Sequence, residues 1–233
     1  MVRLLIWVPV VCLLVRSLAG RWLWPDVMPA EWSGRAWGAV RAEPVGNSLG
    51  LALVAMVGAV LLGMVLAGPF RRSAWVRWAV LTVALLPPLA MGVGLHGVFL
   101  RLGLTDSWWG VALVHLLPAT PYAVMAVAAS LSRFDEDLAA QARTLGASGW
   151  QVWRHVKGPA LLPGIAAGAA FAFVISWSQY ALTAVIGGGR VLTLPMALVG
   201  YQKSGDEAVA AAVGLVFLGA PVMLSLWVER GWE

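Results

Sequence analysis

The chain has 233 residues, of which 61% are hydrophobic and 12% are charged, and its formal net charge is +5. A soluble domain carries about a quarter charged residues, so this composition excludes an ordinary soluble fold and favours an all-α membrane protein embedded in a lipid bilayer. The single cysteine, Cys12, excludes an internal disulfide framework and a cysteine-rich metal site. Positive charge is typical of basic cytoplasmic loops in membrane proteins, so we expect no nucleic-acid partner.

Six apolar stretches predict six membrane-spanning helices. They cover residues 4–18, 45–67, 78–100, 108–131, 161–186 and 208–228. All but the first are long enough to span, and the uncharged part of the first is interrupted by Arg16. Pro87-Pro88 predicts a broken helix in the third stretch, and Pro118 with Pro121 predicts one in the fourth.

The first stretch has two interpretations. Residues 1–20 resemble a cleavable signal peptide, whereas a short spanning helix would let Arg16 extend to the far interface. The next segment, 21–44, contains four tryptophans and mixed charge, which is typical of an interfacial or periplasmic connection. We therefore divide the chain into a leading segment, 1–44, and a core of five spans, 45–233.

Basic residues indicate the orientation of the chain. If the N-terminus is cytoplasmic and all six stretches span, inside loops and ends hold nine basic residues and outside loops hold seven. After residue 44 the difference is clearer, eight against three. Because cytoplasmic loops carry the excess of lysine and arginine, we expect both termini in the cytoplasm.

A segment between the fourth and fifth stretches, 132–160, is longer and more charged than a turn requires. Asp135 is placed to cap a first helix, and Gly146 can end that helix in the left-handed conformation. The apolar residues of this helix share one face: Leu138, Ala142 and Leu145.

A second short helix is predicted after the bend. Ser148 can cap it, Trp150 and Trp153 make it amphipathic, and Gly158-Pro159 should stop it. These two helices should lie on the cytoplasmic surface. The residues themselves leave open whether the loop lies against lipid or docks on another protein.

The same segment resembles the cytoplasmic loop of binding-protein-dependent ABC importer permeases, the MetI-like transmembrane domains. That loop has the pattern Glu-Ala-Ala, three residues, Gly, nine residues, Ile-x-Leu-Pro. The chain matches at the second alanine, the glycine, the isoleucine (as valine) and the proline: Ala142, Gly146, Val156 and Pro159. It departs at the glutamate, the first alanine and the leucine: Ala140, Gln141 and Gly158. Two other family features lie outside the loop: Asn47-Ser48-Leu49 and Thr193-Leu194-Pro195.

The resemblance implies a non-enzymatic permease subunit in the bacterial inner membrane. It implies pairing with a second permease subunit, identical or homologous, and a periplasmic solute-binding protein on the outer side. It also implies a dimer of ATP-binding-cassette ATPases, which would bind ATP and Mg²⁺ and dock on the loop. The implied docking residues are Ala142, Gly146, Ala147, Trp150, Val156 and Pro159. The chain has no G-x-x-x-x-G-K-[ST] motif with which to bind ATP by that route itself.

Polar residues in apolar stretches are candidates for lining a translocation path, although they can equally join helices by hydrogen bonds. The candidates are Asn47, Ser176, Ser178, Gln179 and Tyr180. His96 and His115 are interpreted as packing residues rather than proton carriers. The sequence around Tyr180, with Gly187–Arg190 after it, resembles a branch near thiamine and polyamine importers.

Two other functions are alternatives to the permease. Gly146-Ala147-Ser148-Gly149 matches the G-x-S-G of rhomboid proteases, with Ser148 as nucleophile, but the basic and tryptophan-rich residues after it would be costly in hydrocarbon. An ion-coupled secondary transporter would need a carboxylate within a span, and the acidic residues all fall at loops or ends.

Overall fold

The computed structural model describes residues 2–22 and 25–230, with side chains described for 7–22 and 25–224. Its helices are α1 (Val2–Ser17), α2 (Arg35–Gly38), α3 (Ala42–Arg72), α4 (Ala74–Leu85), α5 (Pro88–Arg101), α6 (Trp108–Arg133), α7 (Glu136–Thr144), α8 (Gly149–Val152), α9 (Gly158–Trp177), α10 (Ala181–Gly187), α11 (Leu194–Lys203) and α12 (Glu207–Arg230). A π-helical turn, Trp153–Lys157, joins α8 to α9. An antiparallel hairpin is formed by β1 (Ala19–Arg21) and β2 (Glu31–Trp32). The all-α prediction is confirmed, with this hairpin as a small addition.

The predicted apolar stretches are mostly helical, with breaks in the third and the fifth. Four described helices are long and apolar enough to cross a membrane: Ala42–Arg72, Trp108–Arg133, Gly149–Trp177 and Glu207–Leu224. The pair α4 and α5 passes the same test together, with a bend of 105° between them. Helix α1 is apolar but shorter, so a spanning α1 stays a prediction.

Proline breaks one predicted span and leaves another intact. The third stretch breaks where predicted, because Leu86 and Pro87 both adopt extended backbone between α4 and α5. The predicted break in the fourth stretch is wrong, since α6 is one helix that contains Pro118 and Pro121. Both prolines are buried, and surrounding helices can hold a proline-containing span in helical form.

The predicted end of the helix at Gly158-Pro159 is wrong, because helix continues from Gly149 to Trp177. The π turn explains how the chain accommodates Pro159. In that turn the Gly158 N–H donates to the carbonyl of Trp153, five residues earlier. This wider winding changes the hydrogen-bond register just before a residue that has no N–H to contribute.

The fifth stretch is not one helix. Helix α9 ends at Trp177 and α10 begins at Ala181, so residues 178–180 interrupt the predicted span 161–186. The interruption is fixed by a buried polar cluster, which is described below with the candidate site.

The chain forms two compact units, of which the larger covers residues 49–191. Helix α6 packs at length against α9, and small residues permit the close approach. A Cβ atom added at Gly168 would lie 3.2 Å from the Cα of Ala123, and one added at Gly63 would lie 3.0 Å from the carbonyl carbon of the same residue. The buried centre of this packing is a cluster of four alanines: Ala59, Ala119, Ala123 and Ala172.

The other unit comprises residues 1–48 and 192–233. Helices α1 and α11 both pack on α12. The Arg16 guanidinium lies over the ring of Trp22 and forms an ion pair with Glu207, so its partner within this unit is a carboxylate. Arg35 forms a second ion pair with Asp206 at 3.3 Å.

Some sequence predictions are not tested by this structure. The division into 1–44 and 45–233 and both interpretations of residues 1–20 stay predictions. Met1 and Trp24 lie outside the described residues, as do the side chains of Arg3 and Arg230 that entered the charge count.

Candidate functional site

The loop between α6 and α9 lies at the strongly basic end of the larger unit. Arg71 donates to the carbonyl of Leu131 at 2.9 Å, and Arg77 shares a surface hollow with Arg71 and Ser132. Seven of the nine basic residues in 49–191 lie in or beside this loop. The other two, Arg101 and Arg190, lie at the opposite end, where the N–H of Asp106 binds the carbonyl of Ile186.

The first loop helix, α7, begins as the sequence predicts. The Asp135 carboxylate accepts from the N–H of Asp137 at 2.9 Å and caps the helix. The residue of α7 that packs inward is Ala139, which is fully buried. The predicted apolar face points elsewhere: Leu138 is 50% exposed and Leu145, just after the helix, is 88% exposed.

The spacing around Gly146 forms a Schellman motif, a pair of hydrogen bonds that closes the end of a helix. The Gly146 N–H donates to the carbonyl of Arg143 at 2.9 Å, and the Ala147 N–H donates to the carbonyl of Ala142 at 3.0 Å. Gly146 has φ +87°, a conformation that only glycine adopts without strain. The family positions Ala142, Gly146 and Ala147 are thus the three residues that define this bend.

The second loop helix begins with a capping box. The Ser148 hydroxyl accepts from the N–H of Gln151, and the Gln151 side chain accepts from the N–H of Ser148 at 2.7 Å. Trp150 and Trp153 stack with ring centroids 5.2 Å apart, and both are exposed. Val152 is buried on the opposite side and anchors the helix.

A concave surface of about 430 Å³ lies between the two loop helices. It is lined by Ala142, Leu145, Gly146, Ala147, Gln151, Val152, His155 and Val156. Of the six predicted docking residues, four therefore share this hollow. Trp150 is exposed outside it, and Pro159 is exposed at the start of α9.

An ion pair ties the base of the loop together. The Lys157 ammonium lies 2.9 Å from the Glu136 carboxylate and 5.4 Å from the ring centroid of Phe134. Ala140, at the position of the family's glutamate, is exposed and has no carboxylate to offer. A charged contact from α7 to the helix that follows is made by Glu136, one turn before Ala140.

The second candidate site is a buried polar cluster centred on His115 of α6. Its Nδ1 lies 2.8 Å from Ser176 Oγ on α9, and its Nε2 lies 3.0 Å from Thr183 Oγ1 on α10. The Thr183 hydroxyl donates to the carbonyl of Gln179 at 2.9 Å. Because the Thr183 hydroxyl donates its only proton to Gln179, it must accept a hydrogen bond from the Nε2–H of His115. The Nδ1 of His115 therefore has no proton and accepts a hydrogen bond from the Ser176 hydroxyl. His115 thus joins the helices on both sides of the 178–180 interruption.

The predicted path residues differ in exposure. Ser176 and Gln179 are buried, with Ser176 in the His115 cluster, while Ser178 and Tyr180 expose their side chains. Thr183 was missed, because a single threonine in an apolar run gives no signal of its own. His115 is the packing residue that the sequence indicates, whereas His96 lies exposed on α5.

Asn47 makes a structural contact in the smaller unit. Its side-chain amide donates to the carbonyl of Leu192 at 2.9 Å, and the Ser48 hydroxyl accepts from the N–H of Leu194 at 2.8 Å. Ser48 therefore supplies the cap at the start of α11 that Thr193 does not make with its own side chain. The two short family features outside the loop thus bind each other directly.

Comparison with known proteins identifies the family. The family described as binding-protein-dependent transport system inner membrane component matches residues 59–228, which is well over half of the chain. The chain belongs to this family. The matched range includes the whole loop and the His115 cluster.

Curated relatives of the family are permease subunits. The chain is 32% identical over 187 residues to the inner membrane ABC transporter permease protein YnjC of Escherichia coli K12, covering 79% of the chain and 36% of that protein. It is 26% identical over 238 residues to the putative 2-aminoethylphosphonate transport system permease protein PhnV of Salmonella typhi, covering 95% and 88%. It is 25% identical over 177 residues to the spermidine/putrescine permease protein PotC of Escherichia coli K12, covering 74% and 67%. The chain thus spans about a third of the length of YnjC and most of PhnV.

A solved structure shows that the fold is shared. A chain of the MetNI methionine ABC transporter in inward-facing conformations superposes with a TM-score of 0.63 at 17% identity, covering 80% of this chain and 92% of that one. Neither the protease nor the secondary transporter gains support. Ser148 caps an exposed loop helix, and its side-chain hydroxyl accepts from the N–H of Gln151.

Proposed function

We propose that this ABC importer permease subunit forms one half of a translocation path and is driven by a separate ATPase that docks on the α7–α8 loop. The proposal rests on one observation above all. The loop has a bend at Gly146 that is closed by two hydrogen bonds, and four large apolar side chains around it are exposed: Leu138, Leu145, Trp150 and Trp153, with Leu145 88% exposed. Large apolar side chains exposed to water do not stabilise a loop unless another surface covers them.

The continuous helix from Gly149 to Trp177 supports a mechanical coupling. If a docked ATPase displaces Trp150, it displaces the continuous helix Gly149–Trp177, whose other end carries Ser176. Rigid secondary elements with two discrete arrangements are the physical means by which distant sites are coupled. The loop and the interruption at 178–180 are thereby the two ends of one element.

A second permease subunit, identical or homologous, would complete the path. The helix is interrupted at residues 178–180, and an interruption of this kind is tolerated at membrane depth only beside protein or a water-filled cavity. The exposed side chains of Ser178 and Tyr180 are the candidates for facing that cavity.

The orientation follows from charge. Placing the basic loop end in the cytoplasm satisfies the positive-inside rule and puts the 102–107 and 187–190 turns outside. A periplasmic solute-binding protein would then dock at the outer end, and both termini would be cytoplasmic in the bacterial inner membrane.

The names of two relatives suggest a class of substrate. PhnV is named for 2-aminoethylphosphonate and PotC for spermidine and putrescine, and all three compounds carry amino groups. We therefore propose a small amine-bearing solute.

Copurification in mild detergent tests the coupling. The chain is expected to recover its ATPase subunit, and Gly146→Arg is expected to abolish that recovery by straining the bend and filling the hollow. Gly34→Arg is the control, since Gly34 lies at an exposed position with no neighbour within 4 Å of an added Cβ. Purified chain that transports solute in vesicles without any ATPase would overturn the proposal.

A further inference from the structure

The outer surface of the loop carries an unusually exposed set of large apolar side chains. They are Leu138, Leu145, Trp150 and Trp153. The two indoles are stacked, with 13° between their planes and 5.2 Å between their ring centroids, so they form one compact aromatic cluster. Tryptophan is enriched at the energetic centres of protein interfaces, because it buries a large area at a low cost in conformational entropy.

From Leu138 onward, the charged groups of the loop are basic. Arg143, Arg154 and His155 are all exposed. No aspartate or glutamate occurs between residues 138 and 157, and Ala140 stands at the position where the family's glutamate is usual. The nearest carboxylates are Asp135, Glu136 and Asp137 at the start of α7, where Asp135 caps the helix and Glu136 is paired with Lys157 at 2.9 Å.

We infer that the loop binds an apolar socket rimmed by carboxylates on the ATPase subunit. This inference rests on the proposed function, in which the ATPase is the docking partner, and it adds the chemistry of the partner's surface. The tryptophan pair and Leu145 fill the socket, and the guanidinium groups of Arg143 and Arg154 pair with the acidic rim. Arginine suits this role because its planar fork binds carboxylates through two parallel hydrogen bonds.

The main competing partner is lipid, since tryptophan and arginine also suit the headgroup region. The shape of the loop favours protein. The hollow of about 430 Å³ is shallow and open, and its lining includes Ala142, Gly146 and Ala147, whose small size permits a partner's side chain to approach the backbone. A hollow of this kind gives no advantage at a fluid lipid surface, whereas shape complementarity is required at a protein interface.

Charge reversal tests the rim. The affinity of the full chain in detergent for its ATPase subunit is measured at low and high salt for the native chain, Arg154→Glu and Arg143→Gln. We expect Arg154→Glu to weaken binding about tenfold at low salt and Arg143→Gln to weaken it by a few-fold, with both effects diminished at high salt. Arg101→Glu, an exposed arginine at the opposite end of the unit, is the matched control and should bind like the native chain. Arg154→Lys, which keeps the charge but loses the planar fork, should bind with an affinity between those of the native chain and Arg154→Glu.

Trp150→Ala tests the apolar socket separately from the acidic rim. Because this substitution removes no charge, it should weaken binding equally at both salt concentrations. If the native chain binds the ATPase but neither salt nor Arg154→Glu changes the affinity, the acidic rim is wrong while the proposed function stands. If no ATPase binds the native chain, the proposed function fails as well.

A labelling experiment distinguishes the ATPase from lipid as the partner of the loop. In a Cys12→Ser background, Leu145→Cys is labelled with a maleimide in lipid nanodiscs. Addition of the ATPase subunit should slow this labelling. A fluorophore at the same position that is quenched by brominated lipids, with labelling unaffected by the ATPase, would overturn the inference.

Discussion

Single residues in this permease have roles that depend on backbone conformation and hydrogen-bond pairing. Gly146 must be glycine because its φ is +87°, and the carbonyls of Ala142 and Arg143 depend on that conformation for their partners. His115 is surrounded by helices, and both ring nitrogens are paired. Each residue thus fixes a change of direction in the chain.

Gly146→Ala should loosen the end of α7. A left-handed conformation costs an L-residue roughly 1–2 kcal/mol, so the bond from the Ala147 N–H to the carbonyl of Ala142 should open more often. Amide hydrogen exchange at residue 147 measures this opening. Gly149→Ala is the control, since an added Cβ there meets nothing within 4 Å and needs no unusual backbone conformation. Equal exchange in the two variants would contradict the role of the bend.

His115→Ala should destabilise the larger unit. The variant leaves the Ser176 hydroxyl without its acceptor and removes the donor to Thr183, and each unsatisfied buried group costs about 1–3 kcal/mol. Ser176→Ala should cost less, because the bond from His115 to Thr183 survives. Thermal unfolding in detergent measures both changes. His96→Ala, at an exposed position, should be nearly neutral, and a comparable loss there would argue against a special role for His115.

At the scale of elements, close packing of small residues holds the spans together. Helix α9 approaches α6 so closely that a Cβ added at Gly164 would lie 2.5 Å from Ser130 Oγ and 2.6 Å from the carbonyl oxygen of Ala126. Backbone cannot move aside as a flexible side chain can. In lipid, where helices gain little from apolar burial against one another, such contact supplies much of the packing energy.

Gly164→Ala should therefore separate α6 and α9 locally and lower stability by about 1–3 kcal/mol, the usual cost of overpacking. The thermal midpoint in detergent should fall accordingly. Gly94→Ala on α5 is the matched control, because an added Cβ there has no neighbour within 4 Å and alanine favours helix. A stabilised Gly164→Ala variant would show that the helices have room to adjust.

At the scale of the whole molecule, the distribution of basic residues predicts which end faces the cytoplasm. In a Cys12→Ser background, Ala140→Cys lies in the loop and Arg190→Cys lies at the opposite end of the same unit. Both positions are exposed. A membrane-impermeant maleimide added outside intact inner-membrane spheroplasts should label residue 190 and spare residue 140. The reverse pattern would invert the proposed orientation.

Local features of the loop could be predicted from sequence because their causes lie within a few residues. The Asp135 cap, the Gly146 bend and the Ser148 cap each involve bonds to residues no more than five positions away. The course of the fifth stretch could not be predicted in the same way. Its break at 178–180 depends on His115, which lies 61 residues from Ser176.

Composition, periodicity and capping are local properties, so they are enough to predict an apolar, all-α membrane protein with an importer-type loop. The packing of the folded chain shows what they leave open: the Leu138 and Leu145 side chains face outward, Asn47 and Ser48 bind the chain at 192–194, and helix continues through Gly158. The physical reason is that a helix of apolar residues has many permissible partners. Which face is covered, and where the helix must bend, are set by the few polar groups that neighbouring helices can satisfy.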